Sequence, residues 1–208
     1  MVADFLKNIH WLGHAGFRID AGKTVYIDPF QIEGGPKADL VLISHSHYDH
    51  YSPEDLDKIV QDTTIIVTEK STAAQLEGRV EVMTPGSHLD IDGVGIEAIA
   101  AYNTDKHFHP QSNGWLGFVL ALEGVRIYHT GDSDFIPEME SVQADIALLP
   151  VSGTYVMDPQ QAVAAALAIN PAYVIPMHYG EIVGDENQAA EFKAALEGKI
   201  NVHICSKL

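Results

Sequence analysis

The chain has 208 residues, 46% of them hydrophobic and 20% charged, which suits one domain spanning 1–208 with a sizeable core. With 29 acidic against 12 basic residues its net charge is −17, a surface that repels phosphate backbones and argues against nucleic acid as a partner. The single cysteine, Cys205, excludes an internal disulfide and a cysteine-rich zinc site, and neither a membrane-length apolar run nor a secretion signal is present, so the expected compartment is the cytosol.

In chain order, apolar runs broken by Gly and Pro predict strands near 8–12, 15–20, 23–28, 39–44, 64–68, 79–83 and 93–101, with helices near 53–61 and 70–77. Further strands are expected near 115–122, 125–129, 144–150, 172–177 and 200–205, and helices near 135–141, 159–169 and 186–197. Alternation of this kind predicts an α/β fold. The two halves resemble each other. GHAGFRI from Gly13 matches GWLGFVL from Gly114, VYIDPF matches IYHTGDSDF, and ADLVLIS from Ala38 matches ADIALLP from Ala144. After the last pair, Ser52-Pro53 and Asp158-Pro159 both offer a cap followed by proline at a helix start. Four features in the same order predict a duplicated strand-rich unit. The chain closes on SKL, a peroxisomal address relevant only in a eukaryote, directly after the strand-like NVHIC.

The chemistry concentrates where the strand ADLVL runs out. ISHSHYDHYS, residues 43–52, carries His45, His47, Asp49 and His50. In H-x-H, two imidazoles two residues apart reach one ion, and Asp49 and His50 turn toward a neighbouring position. Imidazole with carboxylate and no thiolate is the ligand set of catalytic zinc, manganese or ferrous iron. Four ligands in one hexapeptide cannot complete two sites, so others come from elsewhere: Asp132 in HTGDSD, His178 in PMHYG, and His107 or His109 in YNTDKHFHPQ.

These motifs resemble the metallo-β-lactamase fold superfamily, whose signature is H-x-H-x-D-H. GHAGF, DPF, YNTDKHFHP, YHTGDSDFIPEM and PMHYG resemble its ascorbate-phosphate-lactonase-like branch of metal-dependent hydrolases. The resemblance implies a four-layer αββα sandwich with two divalent ions at one edge, zinc first among them, with manganese or iron as alternatives. His45, His47 and His109 would hold one ion and Asp49, His50 and His178 the other, with Asp132 bridging. His109 is preferred to His107 because the family histidine precedes a proline, here Pro110. Iron redox members carry glutamate where this chain has His47, which favours hydrolysis.

Two bridged cations lower the pKa of trapped water from about 15.7 toward 7, so a metal-bound hydroxide can attack an ester, lactone, amide or phosphoester without a separate general base. Asp49 would ligate and orient or deprotonate that water. His14 either lines the pocket or is a hydrogen-bonded strand-end histidine. Lys106 is a rare cation beside a candidate ligand, and it points to a small anionic substrate. Asp28 and His129 are read as supports of the ligand loops, Tyr155 as a pocket neighbour, and His10, His88 and His203 as structural. Competing classes are a redox metalloprotein on the same fold and a non-catalytic metal-binding module. No membrane partner is expected and an oligomer is left open.

Overall fold

Runs such as LVLI and IALLP bury every residue, as a strand covered on both faces requires. The structure, a computed structural model, describes residues 2–208 and places these runs near the centres of two sheets. The first sheet holds β1 (Ile9–Gly13), β2 (Gly16–Ala21), β3 (Lys23–Ile27), β4 (Leu40–Ile43), β5 (Ile65–Thr68) and β6 (Arg79–Val82) in chain order. The second holds β7 (His88–Ile91), β8 (Val94–Ala100), β9 (Leu116–Leu122), β10 (Val125–His129), β11 (Ile146–Pro150), β12 (Tyr173–Met177) and β13 (Asn201–Val202), again in chain order.

The duplication is visible as topology. β1–β2–β3 and β8–β9–β10 pair antiparallel, and β3 to β6 and β10 to β13 then pair parallel. Parallel neighbours need crossover connections, and α-helices lie on four of the six: α2 (Pro53–Ile59) and α3 (Lys70–Ala73) in the first half, α4 (Pro159–Ile169) and α5 (Glu186–Ala195) in the second, with a short α1 (Val2–Phe5) ahead of both. The capping side chains of Ser52 and Asp158 accept from the amides of Asp55 and Gln161, so the two halves begin their first crossover helix alike.

The layers follow from side-chain alternation. In β4, Leu40 and Leu42 enter the core between the sheets, while Val41 and Ile43 pack under α2 with Leu56 and Ile59. On the far side, Ala162 and Ala165 of α4 and Phe192 of α5 close the outer face of the second sheet. The result is a helix–sheet–sheet–helix sandwich. The C-terminal ends of the parallel strands from both sheets meet at one edge, where the Leu116 amide donates to the Ser44 carbonyl at 3.1 Å.

Two glycines permit that edge to be tight. A Cβ at Gly117 would lie 2.7 Å from the Thr130 carbonyl oxygen, and one at the equivalent Gly16 would lie 3.1 Å from that of Asp28. The loops after β10 and β3 therefore fold back against β9 and β2 in the same way.

Several boundaries differ from expectation. The helix expected over 70–77 ends at Ala73, because the amide of Gln75 bonds back three residues to Thr72 and the turn tightens out of α geometry. The helix expected over 135–141 is a 3₁₀ segment, Pro137–Ser141. β7 was not expected; its half-exposed HLDI lacks a continuous apolar signal and forms by pairing with β8. Only Asn201–Val202 of the strand expected near 200–205 pairs with β12. The SKL tail is docked: Lys207 bridges Trp11 of β1 and pairs with Glu181, and the Leu208 amide donates to the Trp11 carbonyl at 2.9 Å. Among the described residues no helix is long and apolar enough to cross a membrane.

Candidate metal centre

The loops at this shared edge bring the sequence candidates together from both halves. His45, His47, Asp49 and His50 follow β4, Asp132 follows β10, His178 follows β12, and His109 sits on the long loop between β8 and β9. Ligand atoms of His45, His47 and His109 lie within 4.8 Å of one another, as do those of His14, Asp49, His50 and His178. His45 Nε2 and His47 Nδ1 are 3.0 Å apart. His107 is exposed, whereas His109 is buried among the others.

Asp132 joins the two clusters. Its Oδ2 lies 3.2 Å from His109 Nε2 and 3.1 Å from His178 Nε2, and its Oδ1 lies 3.2 Å from His50 Nε2. Burial raises the Asp132 pKa, but His178 and His50 outweigh it and hold the carboxyl well below its ordinary range. Burial, then His50, press His45 well below the ordinary imidazole value, which leaves a neutral ring with a lone pair to donate. For His50 burial also lowers the pKa, but Asp132 and Asp28 overcome it and the group ends well above its usual value. Asp49 is raised by burial and lowered more strongly by its hydrogen bond with His14 and by His50, down to about 2.

The donor set suits divalent cations. His50 Nε2, His109 Nε2 and Asp132 Oδ1 are buried without a hydrogen-bond partner in the protein, and all three face the convergence point. Buried polar atoms of this kind cost about 1–3 kcal/mol each unless something satisfies them. The opposite ring nitrogens are held by the protein, as metal-binding imidazoles require. His50 Nδ1 donates to Asp28 at 2.8 Å, His45 Nδ1 meets Ser44 Oγ at 2.9 Å, and Ser44 Oγ in turn donates to Asp28 at 2.6 Å. His178 Nδ1 meets Ser152 Oγ at 3.0 Å, and His109 Nδ1 reaches Asn103 Oδ1 at 3.0 Å.

A model of the beta-lactamase superfamily domain matches residues 8–178. The chain belongs to the metallo-β-lactamase superfamily. It is 33% identical to a UPF0173 metal-dependent hydrolase of Pelotomaculum thermopropionicum over 94% of both chains. It is 34% identical to another from Thermoplasma acidophilum, over 94% of this chain and 93% of the relative. Among solved structures it superposes on a protein from Parabacteroides distasonis with a TM-score of 0.87 at 32% identity, covering 96% of this chain and 92% of the other. A metallo hydrolase from Ignicoccus hospitalis superposes with a TM-score of 0.78 at 26% identity, over 96% and 94% of the two chains. The chain is accordingly a metal-dependent hydrolase of this superfamily.

Within this metallo-β-lactamase superfamily enzyme, the supporting candidates take definite places. His14, with a left-handed backbone at φ 49°, sets its Nε2 3.1 Å from Asp49 Oδ2. Asp28 holds His50 directly and His45 through Ser44. His129 donates from Nε2 to the Ala15 carbonyl and accepts the Gly131 amide at Nδ1, which fixes the turn ahead of Asp132. The Tyr155 carbonyl accepts from Asn103 at 2.9 Å beside His109.

Lys106 is paired within the protein. Its ammonium donates to Asp134 at 2.6 Å and to Asp105 at 2.7 Å, and its side chain is only 16% exposed. Asp134, fully buried, also accepts the Thr104 amide at 2.8 Å. Lys106 is therefore the cationic half of a clamp on the His109 loop.

Five contributors escaped the sequence reading, among them Ser44 and Asn103, which hold the imidazoles of His45 and His109. Asp134 and Ser152 stand in loops already quoted for other residues and carry no motif of their own. Trp115 walls the site, its ring centroid 4.6 Å from His45 and 4.7 Å from His47. The repeat was the signal for it, because GHAG and GWLG align Trp115 with His14.

Proposed function

We propose that the enzyme hydrolyses ester, lactone or phosphoester bonds of small molecules at a two-metal centre. His45, His47 and His109 would hold one ion, and Asp49, His50 and His178 the other, with Asp132 shared. The observation that carries this reading is the position of Asp132, whose two oxygens lie against histidines of both clusters. Zinc fits the nitrogen-rich, thiolate-free set, with manganese or ferrous iron as alternatives. When bound, such ions supply a nucleophile from water at neutral pH and polarise the oxygen on which charge develops.

The chain's own residues do the rest. His14 positions Asp49, and a carboxyl lowered to about 2 stays ionised at neutral pH, so Asp49 serves as ligand and hydrogen-bond acceptor for the attacking water. Asp28 and Ser44 fix His45 and His50 in orientation, and Asn103 does so for His109. Trp115 covers one side of the histidine cluster with apolar surface, which limits access of bulk water. Elemental analysis of purified protein together with lactone, aryl ester and phosphodiester panels tests the reading. About two transition-metal ions per chain and turnover that a chelator abolishes are expected; a chain that neither binds nor responds to any divalent ion overturns it.

A further inference from the structure

We infer that the substrate carries a neutral, apolar group beside the bond to be broken, and that Tyr48 and Phe108 receive it. The inference rests on the metal-centre reading above and adds the chemical class of the substrate to it.

Tyr48 is 67% exposed and Phe108 is 49% exposed, and they are the only aromatic side chains among the exposed large hydrophobics of the described residues. Both adjoin site residues. Tyr48 lies between His47 and Asp49, and Phe108 immediately precedes His109. The rings of His47 and His109 are 5.1 Å apart, so the backbone positions next to them in the chain, which carry the two aromatics, belong to neighbouring loops. Ile182, 36% exposed, adds an aliphatic side chain from the loop that follows His178. Three loops that carry candidate ligands thus each expose an apolar side chain.

Each ring has an aromatic neighbour. Tyr48 stands edge-on to Phe30 with centroids 5.9 Å apart, and Phe108 stands edge-on to Tyr155 at 4.7 Å. A rim already ordered spends little further entropy on receiving a ligand. Exposed apolar side chains beside a cluster of buried polar groups mark a place for ligand contact.

The charges agree. The loops carrying the site residues, at 13–16, 44–52, 101–115, 130–136, 151–158 and 178–185, contain one Lys or Arg, Lys106, already paired with two carboxylates, and Lys37, on the loop that carries Asp28 and Phe30, is bonded to the Lys58 and Val60 carbonyls. No free cation is offered by these loops to a remote anionic group, whereas apolar contact is offered by three of them.

The test compares acetohydroxamate with octanohydroxamate binding to the zinc-loaded protein by calorimetry, alongside hydrolysis of p-nitrophenyl acetate, butyrate, octanoate and hemiglutarate. Octanohydroxamate is expected to bind at least about tenfold tighter, the scale of burying a few methylene groups. kcat/KM should rise from acetate to octanoate, and the hemiglutarate ester should be poorer than the butyrate ester. In Tyr48→Ala/Phe108→Ala the length preference should shrink severalfold, with acetohydroxamate affinity and zinc content unchanged. Equal binding of the two hydroxamates, a preference unaltered in the double variant, or faster hydrolysis of the hemiglutarate ester overturns the inference and leaves the metal-centre reading intact. Failure of both hydroxamates to bind, with no ester hydrolysed, overturns the metal-centre reading itself.

Discussion

At Asp132 one carboxylate is asked to serve two clusters, and this makes it the side chain whose loss should be most severe. With an ion in each cluster, its loss would leave two dications a few ångströms apart with less screening, and their repulsion rises steeply as the local dielectric falls. Asp132→Ala should lose at least one ion by elemental analysis and nearly all turnover, a larger effect than any single histidine substitution produces. Full metal content with ordinary activity would remove the bridging role. Lys106→Ala tests the clamp. It leaves Asp134 buried without its cation, at a cost on the order of 3 kcal/mol, the low end for a broken buried pair because Asp134 keeps the Thr104 amide. Urea unfolding should register that loss, and kcat/KM should fall by the same factor on neutral and anionic esters. A loss confined to anionic substrates would return Lys106 to substrate binding. These residues also mark what the sequence could disclose. His45, His47, Asp49 and His50 were legible because four donors shared one hexapeptide, and Pro110 helped to separate His109 from His107. The partners of Lys106 were not legible, since Asp134 lies 28 positions away and only folding brings the two together.

At the scale of elements, the position of Asp132 depends on how closely β9 approaches the turn after β10. Gly117 supplies that closeness, and its Cβ would meet backbone at 2.7 Å, where nothing flexible can move aside. Gly117→Ala should therefore cost about 1–3 kcal/mol in unfolding free energy and weaken metal retention in a competition with a chelator. In the neighbouring β8, Gly95→Ala meets only the Ala121 side chain at 3.3 Å and should cost less in both measurements. Wild-type metal affinity in Gly117→Ala would show that the turn tolerates displacement. Central strands were readable from sequence because burial on both faces leaves unbroken apolar runs, as in LVLI. Edge elements were not, because β7 and β13 are half exposed and owe their form to a paired neighbour rather than to their own pattern. The helix starts were readable at Ser52 and Asp158 through cap chemistry, while the early stop of α3 depended on a local hydrogen bond that composition does not encode.

Across the whole molecule, the repeat seen in GHAGF and GWLGF becomes two sheets of the same order, and the site lies on the line where they meet. His14, His45, His47, Asp49 and His50 come from the first sheet's connections, and His109, Asp132 and His178 from the second's. Ions held there would join the halves, and binding only to the folded state stabilises it by about 4 kcal/mol when free ion exceeds the dissociation constant a thousandfold. Chelation should lower Tm by on the order of 10 °C for a chain of this size, and Asp132→Ala should lose most of that response. An identical Tm with and without chelator would show that the ions do not join the halves. A seam closed by ions also bears on how long each copy persists in a cell. When free metal is scarce the seam opens more often, and proteases acting on the opened chain remove copies that have no ion to work with. The abundance of this hydrolase should then follow the metal supply without any change in its synthesis.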